Sequence, residues 1–305
     1  MKAVFIDANE PMVEIARRLH QAGEFDLVVH DNPDIKPEEV PGLLDGAPIV
    51  IIDHTYLPTD VARRCAGLRH VVFLGTGARS YMNPEELAEL GVAVHIIKGY
   101  GDTAVAECAF ALMWAAAREL ANMDRGMRAG NWLRTEGMQL TGKTLGLVGF
   151  GGIAAEMARL ALGAGMQVVA WNRTPKAHPG VAFVPLDELL AASDVVSLHL
   201  LLNDETRGMF SARRIAQMRD GVILVNTARA ALVDQDAMLA ALASGKIRHA
   251  GIDVYEVEPV PADHPLLKVA NVTLSSHSAF RTPEASDNLI EAAFAHCRRI
   301  VAQGA

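Results

Sequence analysis

The chain has 305 residues, half of them hydrophobic, and a formal net charge of −8 at pH 7. That length suits two globular domains with separate cores, and the acidic balance excludes general nucleic-acid binding, which needs an excess of Lys and Arg. Apolar runs are short and interrupted, so no membrane span is expected, and the start, Met1-Lys-Ala-Val-Phe-Ile-Asp-Ala-Asn9, lacks a signal-peptide layout.

From the N-terminus, apolar β-branched runs recur at Ala3–Ile6, Leu27–Val29, Ile49–Ile52, Val71–Leu74 and Val92–Ile97. Helical stretches lie between them, such as Pro11–Ala22 and Pro84–Leu90, each opened by a proline that a helix start tolerates. This alternation predicts a parallel sheet covered by helices on both faces. A glycine-rich seam, Lys98-Gly-Tyr-Gly-Asp-Thr103, leads into a nearly uncharged helix from Ala104 to about Leu120. A helix apolar on most faces is expected to be buried, either between domains or against a second subunit. Gly126–Gly142 reads as a polar link, after which the alternation restarts with runs at Leu145–Val148, Val168–Trp171, Val195–Leu198, Val222–Val225, Ala250–Val254 and Val272–Leu274. The expected fold is therefore α/β: two doubly wound parallel-sheet, Rossmann-like domains with a ligand cleft between them. Cys65, Cys108 and Cys297, odd in number and widely spaced, read as small buried hydrophobes of a reducing cytoplasm.

The restart carries a specific signal, Thr144-Leu-Gly-Leu-Val-Gly149-Phe-Gly151-Gly152-Ile153-Ala154, a strand that breaks into glycines and becomes a helix. Gly149 would make the turn, Gly151 would let the backbone approach a diphosphate, and Ala154 would pack helix on strand. Unpaired N–H groups of the helix would face the phosphates. Gly149, Gly151, Gly152 and Ile153 are accordingly candidate dinucleotide contacts. The following strand ends at Asn172, 23 residues beyond Gly149, where NAD enzymes usually carry an acid for the ribose hydroxyls. Here Asn172-Arg173-Thr174 lacks the acid that would repel a 2′-phosphate and offers a guanidinium that would pair with one, which favours NADP(H) over NAD. The alternative is a solvated Arg173 with either cofactor accepted.

Later strand ends carry further polar groups. Asn226-Thr227-Ala-Arg229 puts an arginine fork just past a strand, suited to the carboxylate or carbonyl oxygen of a 2-oxoacid. Asp253-Val-Tyr-Glu256-Val-Glu258-Pro259 puts acids after the next strand, and Ser275-Ser-His277 puts an imidazole after the last. A histidine beside a carboxylate suits proton donation to an alkoxide. Thr227 and Asp253 are also candidate cofactor contacts, and no metal is expected.

In this order the motifs resemble the D-isomer-specific 2-hydroxyacid dehydrogenases. The resemblance runs from Val105-Ala-Glu107 through Gly142-Lys-Thr-Leu-Gly-Leu-Val-Gly-Phe-Gly151, Ser193-Asp-Val-Val-Ser-Leu-His199, Glu205-Thr-Arg-Gly208 and Asn226-Thr-Ala-Arg229 to His277. It implies that Arg229 binds and polarises the substrate carbonyl, that Glu258 rather than Glu256 orients the histidine, and that His277 is the acid/base. It also implies that backbone N–H groups of Gly75-Thr76-Gly77 meet the substrate carboxylate and that Thr103 lies beside the cofactor. The domains implied are residues 1–98 plus 284–305 for a flavodoxin-like substrate domain, the helix Ala285–Val301 crossing back to it, and 99–283 for the dinucleotide domain. His296 on that helix reads as structural. A homodimer joined through the cofactor domains is implied as well. Asn172-Arg173-Thr174 is similar to the NADPH-using glyoxylate and hydroxypyruvate reductases, so a small 2-oxoacid or D-2-hydroxy acid is the expected substrate. Two departures stand out: Lys98-Gly-Tyr-Gly101 replaces a common Pro-Gly-x-Asn, and Leu200-Leu-Leu202 lacks a common proline. The alternatives are an NAD-dependent lactate-type dehydrogenase and a non-catalytic dinucleotide-sensing protein.

Overall fold

Near-continuous runs of Val and Ile are what strands buried on both faces require, and in the computed structural model, which describes residues 1–174 and 176–304, they form two all-parallel sheets. In chain order the elements are β1 (Lys2–Ala8), α1 (Glu10–Leu19), β2 (Asp26–Asp31), α2 (Val40–Leu44), β3 (Ile49–Ile52), α3 (Thr59–Arg64), β4 (His70–Phe73), α4 (Pro84–Glu89) and β5 (Ala93–Ile96). There follow α5 (Asp102–Ala117), α6 (Leu120–Arg128), β6 (Thr144–Val148), α7 (Gly152–Gly163), β7 (Gln167–Trp171), β8 (Val181–Phe183), α8 (Leu186–Ala192) and β9 (Val195–Leu198). The chain ends with α9 (Ala212–Gln217), β10 (Val222–Asn226), α10 (Gln235–Ser244), β11 (Ile247–Ile252), β12 (Val272–Leu274) and α11 (Pro283–Ala302). Two units result: Met1–Gly101 together with the stretch from Thr282 onward, and Asp102–Arg281.

In the first unit the strand order is β2-β1-β3-β4-β5, the flavodoxin-like order. Helix α11 belongs to this unit because its apolar stripe, including Leu289, Ile290, Ala293, Phe294 and Cys297, is buried on Ala3, Phe5, Ile49 and Val72. Helix α1 starts at Glu10, one residue before the expected Pro11, and ends at Leu19, short of Ala22; the Asn9 side chain accepts the Met12 N–H and fixes the first turn.

The second unit has the order β12-β11-β10-β9-β6-β7-β8, so the order reverses between β6 and β9. Parallel register places Val148 beside both Trp171 and Leu198, Asn226 beside Leu198 and Ile252, and Ile252 beside Leu274. The residues that next leave the sheet, Gly149, Asn172, His199, Thr227, Asp253 and Ser275, therefore emerge in a row at its carboxyl edge. Helix α5 is buried as expected, but within its own unit, against α7, β10 and β11, so its apolar surface requires no second subunit. It stops at Ala117, because Glu119 takes a left-handed conformation (φ 51°), and α6 then runs from Leu120 to Arg128, into the first residues of the expected polar link. Strand β8, only three residues long, carries too short an alternation to announce itself.

One buried histidine of this sheet makes the fold acid-sensitive. His249 on β11 is fully buried, with Nε2 at 3.0 Å from Thr273 Oγ1 and Nδ1 without a hydrogen-bond partner among the described residues. Burial first, then the charges of Arg125 and Arg248, push its pKa down from 6.5 to about 4. Unfolded chains then take up the proton first, so the stability is fully present above pH 6.5 and is lost as pH falls toward 4. That interval corresponds to about 3 kcal/mol. Urea unfolding across pH 4–7 should show this loss, and His249→Gln should reduce it; His199, which burial also pushes down to about 4, retains its own share.

Candidate active site

The turn after β6 is set by sterics. Gly149 has φ +88°, and a β-carbon there would lie 2.6 Å from the His199 carbonyl oxygen, so only glycine serves. Helix α7 opens at Gly152, directly after the glycine turn, which leaves the first-turn N–H groups without helical partners. At Gly151 a β-carbon would meet nothing within 4 Å, so the backbone there is open. Ala154 is fully buried, as close packing of helix on strand requires.

At the end of β7, Asn172 ties this turn in place. Its Oδ1 accepts the Phe150 N–H at 3.0 Å and its Nδ2 donates to the Thr174 carbonyl at 2.7 Å. The side chain expected to meet a ribose is thus engaged with the protein and acts on the glycine turn. Lys176, which the sequence reading passed over, donates to the Phe150 carbonyl at 2.5 Å and adds a cation beside the same turn. Arg173 is exposed and pairs with Glu205, Nη1 to Oε2, at 3.0 Å. Thr103 is exposed in the first turn of α5.

At the ends of β10, β11 and β12 the structure brings together Arg229, Glu258 and His277. Buried Asn226 shapes the first turn: its Oδ1 accepts the Ala228 N–H and its Nδ2 donates to the Arg229 carbonyl. Arg229 is exposed, and among the described residues its guanidinium hydrogen-bonds through Nη1 alone, to the Ala228 carbonyl at 2.6 Å. Glu258 Oε2 lies 2.6 Å from His277 Nδ1, while Oε1 accepts the Tyr255 N–H at 2.9 Å. Burial alone would push the Glu258 carboxyl up. The hydrogen bonds from His277 and the Tyr255 N–H, with the charges of His277 and Arg229, outweigh it and hold the carboxyl below its ordinary value. No described residue bonds His277 Nε2, so that nitrogen is available to a ligand.

His277 itself sits at φ +49°, a conformation that costs a non-glycine residue about 1–2 kcal/mol. Asp253 holds it there. The Asp253 carbonyl accepts the His277 N–H at 2.7 Å, and its fully buried carboxylate accepts Ser275 Oγ and the N–H groups of Ser278 and Ala279. Both Asp253 oxygens are therefore committed to the loop that carries the imidazole, a different task from the cofactor contact expected. Tyr255 adds a second tie, its hydroxyl donating to the Ser275 carbonyl at 2.7 Å. In the first unit, Gly75, Thr76 and Gly77 leave the carboxyl end of β4; Gly75 has φ +147° and its carbonyl accepts the Ile97 N–H. No group of three or more His, Cys, Asp or Glu among the described residues is arranged to hold a metal ion.

A family model described as D-isomer specific 2-hydroxyacid dehydrogenase, NAD binding domain, matches residues 110–279. The chain belongs to the D-isomer-specific 2-hydroxyacid dehydrogenase family. It is 34% identical over 300 residues to a glyoxylate reductase of Korarchaeum cryptofilum, covering 92% of this chain and 90% of that protein. It is 33% identical over 287 residues to a hydroxypyruvate reductase of Thermotoga maritima, covering 92% of each. The solved structure of D-2-hydroxyisocaproate dehydrogenase shares the fold, with a TM-score of 0.92 at 24% identity over 100% of this chain and 98% of that one.

This 2-hydroxyacid dehydrogenase is thus an oxidoreductase that uses a nicotinamide dinucleotide. Its second unit fits that group on two counts. The backbone at Gly151 is open, with no atom within 4 Å of where a β-carbon would stand, and Thr227 Oγ1, just past β10, is buried without a hydrogen-bond partner among the described residues. No helix of the described residues is long and apolar enough to cross a membrane.

Proposed function

We propose that the enzyme reduces glyoxylate or hydroxypyruvate with NADPH to the corresponding 2-hydroxy acid, the D form where C2 becomes a stereocentre. The observation that carries the reading is the Glu258–His277 pair, at 2.6 Å, standing with Arg229 at the ends of β10 to β12. The names of the two relatives support the substrate. When bound, the dinucleotide supplies a hydride to C2 of the 2-oxoacid. Arg229 holds the substrate oxygens with its free donors and draws electron density from the carbonyl. His277 Nε2 gives its proton to the carbonyl oxygen as C2 takes the hydride, and Glu258 fixes the ring through Nδ1. Backbone N–H groups of the Gly75–Gly77 turn bind the substrate carboxylate. In the reverse direction His277 takes the hydroxyl proton.

NADPH preference rests on Arg173 and the absence of an acid at Asn172. The Arg173–Glu205 ion pair favours a second reading, an NAD-linked D-2-hydroxyacid dehydrogenase of lactate type, because it satisfies the guanidinium without a phosphate. A panel of 2-oxoacids assayed with NADPH and NADH side by side decides between them. Under the first reading Arg173→Asp shifts the kcat/KM ratio toward NADH by about ten- to hundredfold, the value of one charge-assisted hydrogen bond. An unchanged ratio returns Arg173 to a solvated loop residue.

A homodimer is part of this proposal. Its support is an exposed apolar group, Leu120, Met127, Trp132 and Leu133, on α6 and the segment after it. Light scattering should give twice the chain mass, and Trp132→Glu should halve it. The three free thiols suit a cytoplasmic setting.

A further inference from the structure

Gly152 has a second reason to lack a side chain. A β-carbon there would lie 2.7 Å from Cγ of Asp102, the first residue of α5, and closer still to its Oδ2. The Asp102 carboxylate therefore lies against the first turn of α7. Three backbone N–H groups there, those of Gly152, Ile153 and Ala154, precede the first helical donor, Ala155, which bonds the Gly151 carbonyl. These N–H groups are what a dinucleotide diphosphate would use at a strand–glycine turn–helix motif. An anion of the protein's own already occupies their neighbourhood.

Asp102 has no compensating partner. No described donor hydrogen-bonds its carboxylate and no described cation forms an ion pair with it. The charge that reaches it is that of Glu156 on α7, a like charge that is itself paired with Arg159. Burial first, and Glu156 second, push the Asp102 carboxyl above its ordinary value, so proximity to the helix N-terminus does not offset the desolvation.

We propose that Asp102 sets the enzyme's affinity for its dinucleotide by like-charge opposition to the diphosphate at the opening of α7. Binding is then linked to protonation of this carboxyl, and the dinucleotide binds tightest when Asp102 is neutral. The proposal rests on the family's dinucleotide site and is independent of whether NADP or NAD is preferred.

Titration calorimetry with ADP-ribose and with NAD⁺, from pH 5.5 to 8, tests it. ADP-ribose carries the diphosphate without the nicotinamide, so the readout does not depend on turnover. In the parent, affinity should rise as pH falls, and buffers of different ionisation enthalpy should reveal net proton uptake on binding. Asp102→Asn should bind both ligands about tenfold more tightly at pH 7.5, with no proton uptake and a flat pH profile. Asp102→Ser, a smaller neutral side chain, should do the same, which guards against a fault peculiar to the amide. Equal or weaker binding by both variants, or an undiminished pH slope, overturns the proposal. Failure of parent and variants alike to bind either ligand overturns the assignment of the glycine turn, and the proposal with it.

Discussion

His277→Ala is expected to lower kcat by about 10²–10⁴, the usual contribution of a positioned general acid, while changing the dinucleotide Kd little. The imidazole's hydrogen bond within the protein is to Glu258, and it lies on the loop after β12, away from the glycine turn after β6. Its removal therefore takes away a proton donor and leaves the N–H groups of α7 and the buried Thr227 hydroxyl as they were. Fluorescence titration with NADH and NADPH, alongside steady-state kinetics, separates the two effects. A variant that keeps kcat within tenfold, or one that loses the cofactor, removes His277 from the role of acid. The pH profile adds a second check. Glu258's carboxyl is held below its ordinary value of 4.5, so its negative charge beside Nδ1 is present above that pH and is lost only as pH falls below it. Glu258→Gln keeps an acceptor for Nδ1 but removes the charge; kcat should fall without a matching rise in KM.

Much of this arrangement could be read before any coordinates, for physical reasons that differ from residue to residue. Strands buried on both faces must be continuously apolar, so their runs and their ends are visible, and parallel register then lines those ends up along one edge. That is why Gly149, Arg229 and His277, each just past such a run, could be picked out singly and lie at one edge of the sheet. Glu258 and Glu256 are two residues apart, and composition does not separate them; the fold does, by bringing Glu258 onto Nδ1 of His277. What stayed hidden are side chains whose partners are distant in sequence. Asn172 looked like a ribose ligand because its position says strand end, yet its bonds to Phe150 and Thr174 make it a brace for the turn. The break between α5 and α6 depends on one left-handed residue, Glu119, which no propensity favours. Gly152 looked like one glycine of a phosphate turn, whereas its missing β-carbon also accommodates Asp102, a residue 50 positions earlier.

The largest structural effect is expected at Asp253. With no exposure to solvent, its carboxylate accepts Ser275 Oγ at 2.6 Å, the Ser278 N–H at 3.0 Å and the Ala279 N–H at 3.1 Å. Asp253→Ala leaves three donors without an acceptor, each costing about 1–3 kcal/mol where water cannot replace the bond. The loop can escape part of that cost by rearranging, and the left-handed backbone at His277 gives it reason to, since relaxation recovers the strain held there. Stability should therefore fall by a few kcal/mol and kcat should fall further than stability alone explains, because the imidazole no longer stands against Glu258. Asp253→Asn, which keeps one acceptor oxygen but turns an NH₂ toward the remaining donors, should recover part of the stability and less of the rate. Urea unfolding measures the first, and kcat at temperatures where circular dichroism shows a folded chain measures the second. An Asp253→Ala enzyme that is folded and turns over at the parent rate would show that His277 holds its place without this carboxylate, and the positioning of the acid would then rest on Tyr255 and Glu258 alone.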